Sequence, residues 1–240
     1  MTLAPSPRSR IRMRAGVIAA GLATVVAGCV PSAVSAGGQA TASLFGLFGA
    51  ASLVVLAIVW LSAGWAILRY RRRGGPLPTQ TRGHLGLEIA WTALPLLTVV
   101  GLFIATLQAI DAVTDQGPPT VQLHVNAYRW GWEATYPASG RQVMSQPGAP
   151  LEIVLPVGPT IDVSLTSSDV DHAFFVPAFL FKRDAIPGHP TSFELRITDP
   201  GTYQGACAEY CGILHDQMPF TIRAVDPAAF QAWLAGGPTP

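Results

Sequence analysis

Charged side chains are scarce in this sequence of 240 residues. They make up 12% of it, whereas apolar residues make up 50% and the mean hydropathy is +0.37. Soluble domains usually carry about 25% charged residues, so an ordinary soluble protein is excluded and membrane-spanning segments are indicated. Cysteine is also scarce, with three residues, and the Cys-x-x-Cys-His pattern of covalent haem attachment does not occur. No internal repeat is evident.

The first residues have the pattern of an export signal. Four arginines in residues 8–14 precede an apolar run over residues 15–28. This run ends in Val26-Ala27-Gly28-Cys29, which resembles the lipobox of bacterial lipoproteins, where the cysteine is lipidated and becomes the mature N-terminus. We therefore predict an export signal over residues 1–28, cleaved before Cys29, with Cys29 as the lipid attachment site. An uncleaved apolar helix with an incidental cysteine is the alternative.

Two longer apolar stretches follow a Gly-, Ser- and Ala-rich segment that we interpret as a linker, residues 29–43. Residues 44–68 and 85–110 are each long enough to cross a hydrocarbon core, which needs about 20 helical residues. Five arginines lie in the intervening residues 69–84, and such a cluster indicates the cytoplasmic side. The sequence therefore predicts a transmembrane hairpin with a cytoplasmic loop, and it places the rest of the chain on the outer side of the membrane.

Residues 111–228 are predicted to form an all-β sandwich on that outer side. Apolar and β-branched runs alternate with Gly and Pro turns, as in residues 121–125, 151–157, 161–165 and 193–197. From residue 113 onward there are six Arg and Lys against twelve Asp and Glu, a net charge near −6. An acidic surface of this kind would attract a basic soluble partner and repel nucleic acid, although a merely solvated surface is the simpler interpretation. Asp226-Pro227 and the terminal glycines outline a short C-terminal helix and tail, residues 229–240.

Soft metal ligands are concentrated in the segment Gly205–Phe220. It contains Cys207, Cys211, His215 and Met218, in the pattern Cys-x3-Cys-x3-His-x2-Met, and His172 lies upstream as a candidate from a neighbouring loop. Thiolate, imidazole and thioether ligands together favour copper over other metals. Two bridging thiolates with one imidazole for each ion can hold two coppers, and weak axial positions remain for the Met218 sulfur and a backbone carbonyl. Such a rigid centre suits electron transfer rather than hydrolysis.

Other interpretations of these residues stay open. Two cysteines and two histidines would satisfy tetrahedral zinc, although Met218 would then have no role and the spacing differs from the usual Cys-x2-Cys knuckle. Exported cysteines also tend to form disulfides. His172 could instead be a packed core residue ahead of Phe174 and Phe175.

From about Leu44 to Phe220 the sequence resembles subunit II of cytochrome c oxidases, which carries a dinuclear copper centre called CuA. The resemblance implies a cupredoxin fold behind a two-helix membrane anchor. It also implies a set of side-chain copper ligands: His172, Cys207, Cys211, His215 and Met218. Glu209 would contribute its backbone carbonyl to copper, and its carboxylate is a candidate ligand of a magnesium ion at the junction with subunit I.

Two further segments resemble the same family. Arg129-Trp-Gly-Trp132 is similar to the family's aromatic stretch near the copper, so Trp130 is the predicted point at which electrons enter, although packing in a β core is the alternative. The family commonly has Gln at the position of Arg129. Glu88-Ile-Ala-Trp-Thr-Ala-Leu-Pro95 is similar to the signature Glu-x-x-Trp-Thr-x-x-Pro, whose glutamate lies at the cytoplasmic mouth of a proton pathway. A carboxylate solvated by lipid headgroups is the alternative for Glu88.

The resemblance therefore implies a subunit of a haem-copper oxidase in a bacterial cell membrane. It would accept electrons from cytochrome c at CuA and pass them to subunit I, where oxygen is reduced to water, and subunit III would complete the assembly. Quinol-oxidising relatives lack the copper ligands that this chain has. A membrane-tethered copper-binding module for delivery or storage is the alternative from another class of function, and it would need exposed and exchangeable ligands.

Overall fold

A computed structural model describes residues 32–71, 83–145 and 149–239. The predicted export signal with Cys29, and most of the predicted cytoplasmic loop, lie outside these residues. From Ala33 onward the described residues form one unit, in which two long helices are followed by a β domain.

The two long helices have the length and composition of membrane spans. They are α1 (Ala36–Tyr70) and α2 (Leu85–Thr114), which pack side by side and reach a mean hydropathy of 2.5 and 2.1. Large apolar side chains on them, such as Trp60 and Leu94, are 70% and 66% exposed, which suits surfaces that contact lipid or protein rather than water. The predicted hairpin of two apolar helices is therefore confirmed.

The first helix begins earlier than predicted. It starts at Ala36 rather than Leu44, so the second part of the predicted linker, residues 29–43, is helical. The hydroxyl of Ser35 accepts a hydrogen bond from the Gly38 N–H at 3.1 Å and caps the first turn. The prediction was wrong here because the low helix propensity of glycine and serine is outweighed by this cap and by packing against the β domain. The second helix likewise ends four residues later than predicted.

The β domain contains ten strands in two five-stranded sheets. The strands are β1 (Val121–Tyr128), β2 (Gly131–Tyr136), β3 (Arg141–Met144), β4 (Leu151–Pro156), β5 (Ile161–Ser167), β6 (His172–Val176), β7 (Phe181–Ala185), β8 (Thr191–Leu195), β9 (Gly201–Cys207) and β10 (Pro219–Val225). The first sheet has the order β3-β2-β1-β5-β8 and the second β4-β10-β9-β6-β7. Two strand pairs, β1 with β5 and β4 with β10, are parallel, and the others are antiparallel.

The core lies between these two sheets. Buried and half-buried residues alternate strictly along β5, as expected of a strand with one face on the core. Trp132 from the first sheet meets Phe174 and Phe220 from the second, and the last two rings stack at 4.5 Å between centroids. The predicted all-β sandwich is therefore confirmed.

The C-terminal helix α3 (Pro227–Leu234) closes one side of the sandwich. The Asp226 carboxylate caps it by accepting the Ala228 N–H at 2.8 Å. Phe230 and Trp233 are buried, and Trp233 meets the ring of Tyr136 edge-on at 5.0 Å. The predicted short helix is confirmed, with its start at Pro227.

The helical hairpin is joined to the β domain by hydrogen bonds as well as by the chain. Gln116, which follows α2 and is 6% exposed, donates to the Glu194 carbonyl at 2.8 Å and accepts the Arg196 N–H at 2.9 Å. At the start of α1, the Ala36 N–H bonds to the Arg196 carbonyl at 2.9 Å. Both helices are therefore attached to the same stretch of the first sheet.

Candidate metal centre

The predicted ligands come together at one end of the second sheet. Strand β9 ends at Cys207 and the adjacent strand β10 begins at Pro219, so the ligand-bearing segment between them crosses this end. Strand β6 is antiparallel to β9 and begins with His172. In antiparallel neighbours, the start of one strand lies beside the end of the other. The sheet thus brings His172 next to the ligand loop, from the first position of a strand rather than from the predicted loop.

Each cysteine has its own histidine. The Nδ1 atom of His172 lies 3.8 Å from the Cys207 sulfur, and the Nδ1 atom of His215 lies 3.5 Å from the Cys211 sulfur. Ligand atoms of His172 and both cysteines all lie within 4.8 Å of one another, and the two thiols are not joined by a disulfide. The Met218 sulfur lies 3.5 Å from the Cys211 sulfur.

The cluster is shielded from water. His172 is fully buried, and Cys207, Cys211 and Met218 are 8%, 5% and 2% exposed. The Cys207 thiol donates to the Glu209 carbonyl at 3.2 Å, so this oxygen lies on the cluster as well. His215 and Glu209 are half-buried. Two thiols, two imidazoles, a thioether and a carbonyl together form a ligand set that fits copper. A zinc site would be complete with the two cysteines and two histidines, and the Met218 thioether would have no role in it.

The two thiols differ in acidity. Burial raises the pKa of the Cys207 thiol, but hydrogen bonds with His172 and with the main chain outweigh this and lower it to about 6. Burial raises the pKa of Cys211 to about 11, and the nearby charge of Cys207 adds to the rise. A thiolate is therefore favoured at Cys207, the form in which a cysteine binds metal.

Asp169 is a residue of this site that the sequence did not reveal. Its carboxylate accepts hydrogen bonds from the His172 Nε2 at 2.9 Å and from the main-chain N–H of Arg129 at 2.7 Å. Burial opposes its ionisation, but these hydrogen bonds prevail and lower its pKa to about 2. The sequence did contain a signal that could have found this residue. Metal-binding histidines commonly donate their second N–H to an acid, and Asp169 lies three residues before the candidate ligand His172.

Trp132 is the second residue that sequence reasoning missed. Its indole N–H donates to the Met218 carbonyl at 3.0 Å, and its ring meets the His172 ring edge-on at 6.2 Å between centroids. The motif that singled out Trp130 contains Trp132 as well, but the alternation of a strand alone does not show which tryptophan faces the site.

Trp130 lies directly beside the ligand loop. It is half-buried, and a side chain added at Gly212, the residue after Cys211, would approach its ring to 3.1 Å. The indole nitrogen is buried and has no hydrogen-bond partner within the described ranges. The ring therefore shields the loop on the side nearest to Cys211.

The two predicted acidic site residues lie in different surroundings. The Glu209 carboxylate is 44% exposed and its oxygen lies 3.2 Å from the ammonium group of Lys182, so a cation already balances its charge. Glu88 lies in the first turn of α2, with an exposed side chain outside the cluster. The magnesium site and the proton pathway stay predictions.

Two apolar helices of membrane-span length in front of a cupredoxin-like sandwich, with candidate soft ligands at one end of a sheet, define the class of this protein. Comparison with known proteins gives the particular family. The family described as cytochrome C oxidase subunit II, periplasmic domain, matches residues 122–225. A probable cytochrome c oxidase subunit 2 of Streptomyces avermitilis is 30% identical over 228 residues, which cover 77% of this chain and 71% of the relative. The chain belongs to the cytochrome c oxidase subunit 2 family.

Other relatives cover the chain to different extents. Cytochrome c oxidase subunit 2 of Alkalihalophilus pseudofirmus is 32% identical over 193 residues, and the chain spans only 54% of that protein. The crystal structure of the periplasmic domain of cytochrome oxidase subunit II of Bradyrhizobium japonicum is similar to 50% of this chain and 95% of its own, at 33% identity and a TM-score of 0.47.

Proposed function

We propose that this chain is the electron-accepting subunit of a cytochrome c oxidase and holds a dinuclear copper centre, CuA. The proposed ligands are the side chains of His172, Cys207, Cys211, His215 and Met218 with the carbonyl of Glu209. The observation that carries the proposal is the convergence of two buried thiols, each beside its own histidine, with a thioether directed at one of them.

Two coppers held by these residues would supply a one-electron redox couple. The surrounding residues hold the ligand set in place and exclude water from its sulfur atoms. His172 begins β6, an interior strand of the second sheet, and is held by Asp169. Cys207 ends β9, and Met218 immediately precedes β10. A ligand set held by a sheet changes little in geometry, which favours fast electron exchange.

Trp130 is proposed as the place where electrons enter. Its ring contacts the loop beside Cys211 and remains partly exposed, so it lies between that ligand and solvent. Two exposed carboxylates, Asp171 and Asp216, flank proposed ligands. A basic cytochrome c is the partner that these charges would attract, because complementary charge raises association rates.

The remaining assignments are proposed by analogy with the family, except the lipid on Cys29, which rests on the lipobox-like segment Val26-Ala27-Gly28-Cys29. Electrons would pass from the copper centre to subunit I, where oxygen is reduced, in a complex that also contains subunit III. The helical hairpin would lie in a bacterial cell membrane with the β domain on the outer side. Glu88 would lie at the mouth of a proton pathway, Glu209 would face a magnesium ion, and Cys29 would carry lipid.

Paramagnetic resonance with metal analysis tests the proposal. The full chain, purified in detergent, would be loaded with copper and its copper content measured. Two coppers per chain, with a hyperfine pattern from one electron shared between two nuclei, are expected. A single-copper pattern or a preference for zinc would contradict the proposal.

Copper release separates this function from the alternative of a copper carrier. A carrier needs exchangeable ligands, whereas the thiols here are at most 8% exposed. Copper loss to an excess of chelator should therefore be slow compared with loss from a copper-binding peptide that has exposed thiols. Rapid and complete loss would favour the carrier.

A further inference from the structure

Trp132 contacts two of the proposed ligands, His172 and Met218, from the opposite sheet. It lies in β2 and is fully buried. Its ring edge meets His172, and its indole N–H bonds to the Met218 carbonyl at 3.0 Å. His172 and Met218 are the first and last of the proposed ligands along the chain, and they come from different elements.

The hydrogen bond to the Met218 carbonyl fixes the main chain where the ligand loop rejoins the sheet. Met218 immediately precedes β10 and follows a single 3-10 turn, His215–Gln217. A short turn of this kind offers few hydrogen bonds of its own. The indole bond therefore adds a fixed point at the residue whose sulfur lies 3.5 Å from Cys211.

The ring of Trp132 is itself held rigidly. Its main-chain N–H bonds to the Ser145 hydroxyl at 3.0 Å, and the rings of Phe174 and Phe220 meet it edge-on at 6.0 and 5.2 Å. A buried aromatic ring enclosed in this way has little freedom to move. The N–H group is thus presented to Met218 at a defined place.

We propose that Trp132 is a positioning residue, which holds the Met218 thioether against the Cys211 thiol and thereby tunes the redox potential of the centre. The second part rests on the proposed copper site. A weak axial thioether is a recognised determinant of the potential of copper–thiolate centres. Trp132 acts through Met218 and does not itself contact a metal in this arrangement.

The first test needs no copper and so does not depend on the proposed function. The sequence has four methionines, Met1, Met13, Met144 and Met218, so methyl-labelled methionine in the metal-free full chain gives a simple NMR spectrum. Trp132→Phe should shift and broaden the Met218 methyl signal. Met144, which is 54% exposed, serves as an internal reference.

A matched control is Trp233→Phe. Trp233 is 2% exposed in α3 and packs on Tyr136 rather than on the ligand loop. The Trp233→Phe substitution should lower the melting temperature about as much as Trp132→Phe does, but it should leave the Met218 methyl signal unchanged. Equal effects of both variants on that signal would overturn the positioning role.

Replacement of Trp132 by 3-benzothienylalanine covers the case in which Trp132→Phe does not fold. This analogue keeps the shape of indole but exchanges the N–H for sulfur. The Met218 signal should again shift and broaden, because the hydrogen bond is lost while the packing is kept. A wild-type Met218 signal in the folded analogue would refute the proposal.

The copper-loaded chain tests the effect on potential. Removing the N–H at position 132 should shift the midpoint potential away from that of the unsubstituted chain, because the thioether that helps to set this potential is held less firmly. In a Met218→Leu background the same change should produce no further shift, since the effect is exerted through Met218. A full shift of the potential in the Met218→Leu background would overturn the proposal. If neither the unsubstituted chain nor the position-132 variant bound two coppers, the proposed function itself would be refuted.

Discussion

Asp169 joins His172 to the main chain in front of Trp130. One carboxylate oxygen accepts the His172 Nε2–H at 2.9 Å, and the other accepts the Arg129 N–H at 2.7 Å and lies 3.3 Å from the Arg129 guanidinium. With Nε2 donating to Asp169, Nδ1 is the nitrogen that faces Cys207. A single acid therefore fixes both the tautomer of a proposed ligand and the backbone beside the proposed point of electron transfer.

Asp169→Asn should weaken copper binding. The amide keeps the size of the side chain but loses the charge that stabilises the His172 N–H. Loss of a hydrogen-bonding partner behind a histidine ligand typically reduces metal affinity by about 10–100-fold. Asp171→Asn is the control, because this substitution removes the same charge from an exposed position next to His172. Competition against a chelator of known affinity measures the difference, and equal losses in both variants would mean that only net charge matters.

Cys207→Ser and Cys211→Ser should each abolish the signal of an electron shared between two coppers. Both thiols are buried within 4.8 Å of His172, and serine supplies a hard oxygen in place of a bridging sulfur. Paramagnetic resonance and copper counting on the two variants provide the measurement. A surviving two-copper pattern in either variant would show that its cysteine is not a bridge. Met218→Leu should keep two coppers, since the thioether is proposed as an axial ligand only.

Trp130→Ala should keep the copper and slow the reduction of the centre by cytochrome c. Truncation of an aromatic anchor at an interface can cost more than about 1 kcal/mol, so the rate constant should fall by about fivefold or more. The measurement is stopped-flow reduction of the assembled oxidase at low ionic strength. Tyr210→Ala is a suitable control, because Tyr210 is 78% exposed on the same loop. A wild-type rate in Trp130→Ala would remove this residue from the electron path.

The sequence predicted the elements of this fold and the ligand types, but it did not predict their supporting contacts. Apolar length identified the two helices, and alternation identified the sandwich, because both signals are local. Residue type made His172 a candidate ligand, but only the resemblance supported its place beside Cys207, since that place depends on which strands become neighbours. The roles of Asp169 and Trp132 depend on side-chain direction at the end of a sheet. That information arises from long-range pairing and leaves no periodic pattern.

Gln116→Ala should destabilise the junction between the helices and the β domain. It would leave the Arg196 N–H and the Glu194 carbonyl without the amide that pairs with them. An unpaired buried polar group costs about 1–3 kcal/mol, so the free energy of unfolding should fall by that order. Gln122→Ala on the exposed face of β1 should change it little. Thermal unfolding of the full chain in detergent provides the comparison. Equal melting temperatures for both variants would argue against a stabilising role of the Gln116 hydrogen bonds.

Gly38→Ala should disturb the start of α1, whereas Gly49→Ala in the same helix should not. A methyl group at position 38 would approach the Phe179 carbonyl oxygen to 2.5 Å, while at position 49 it would meet nothing within 4 Å. Forcing extra volume into a packed site costs about 1–3 kcal/mol, and alanine is otherwise favoured over glycine in a helix by about 1 kcal/mol. The two variants should therefore change the melting temperature in opposite directions. If Gly38→Ala were as stable as Gly49→Ala, the close approach of α1 to the β domain would not contribute to stability, and the hydrogen bonds of Gln116 would be left as the main attachment.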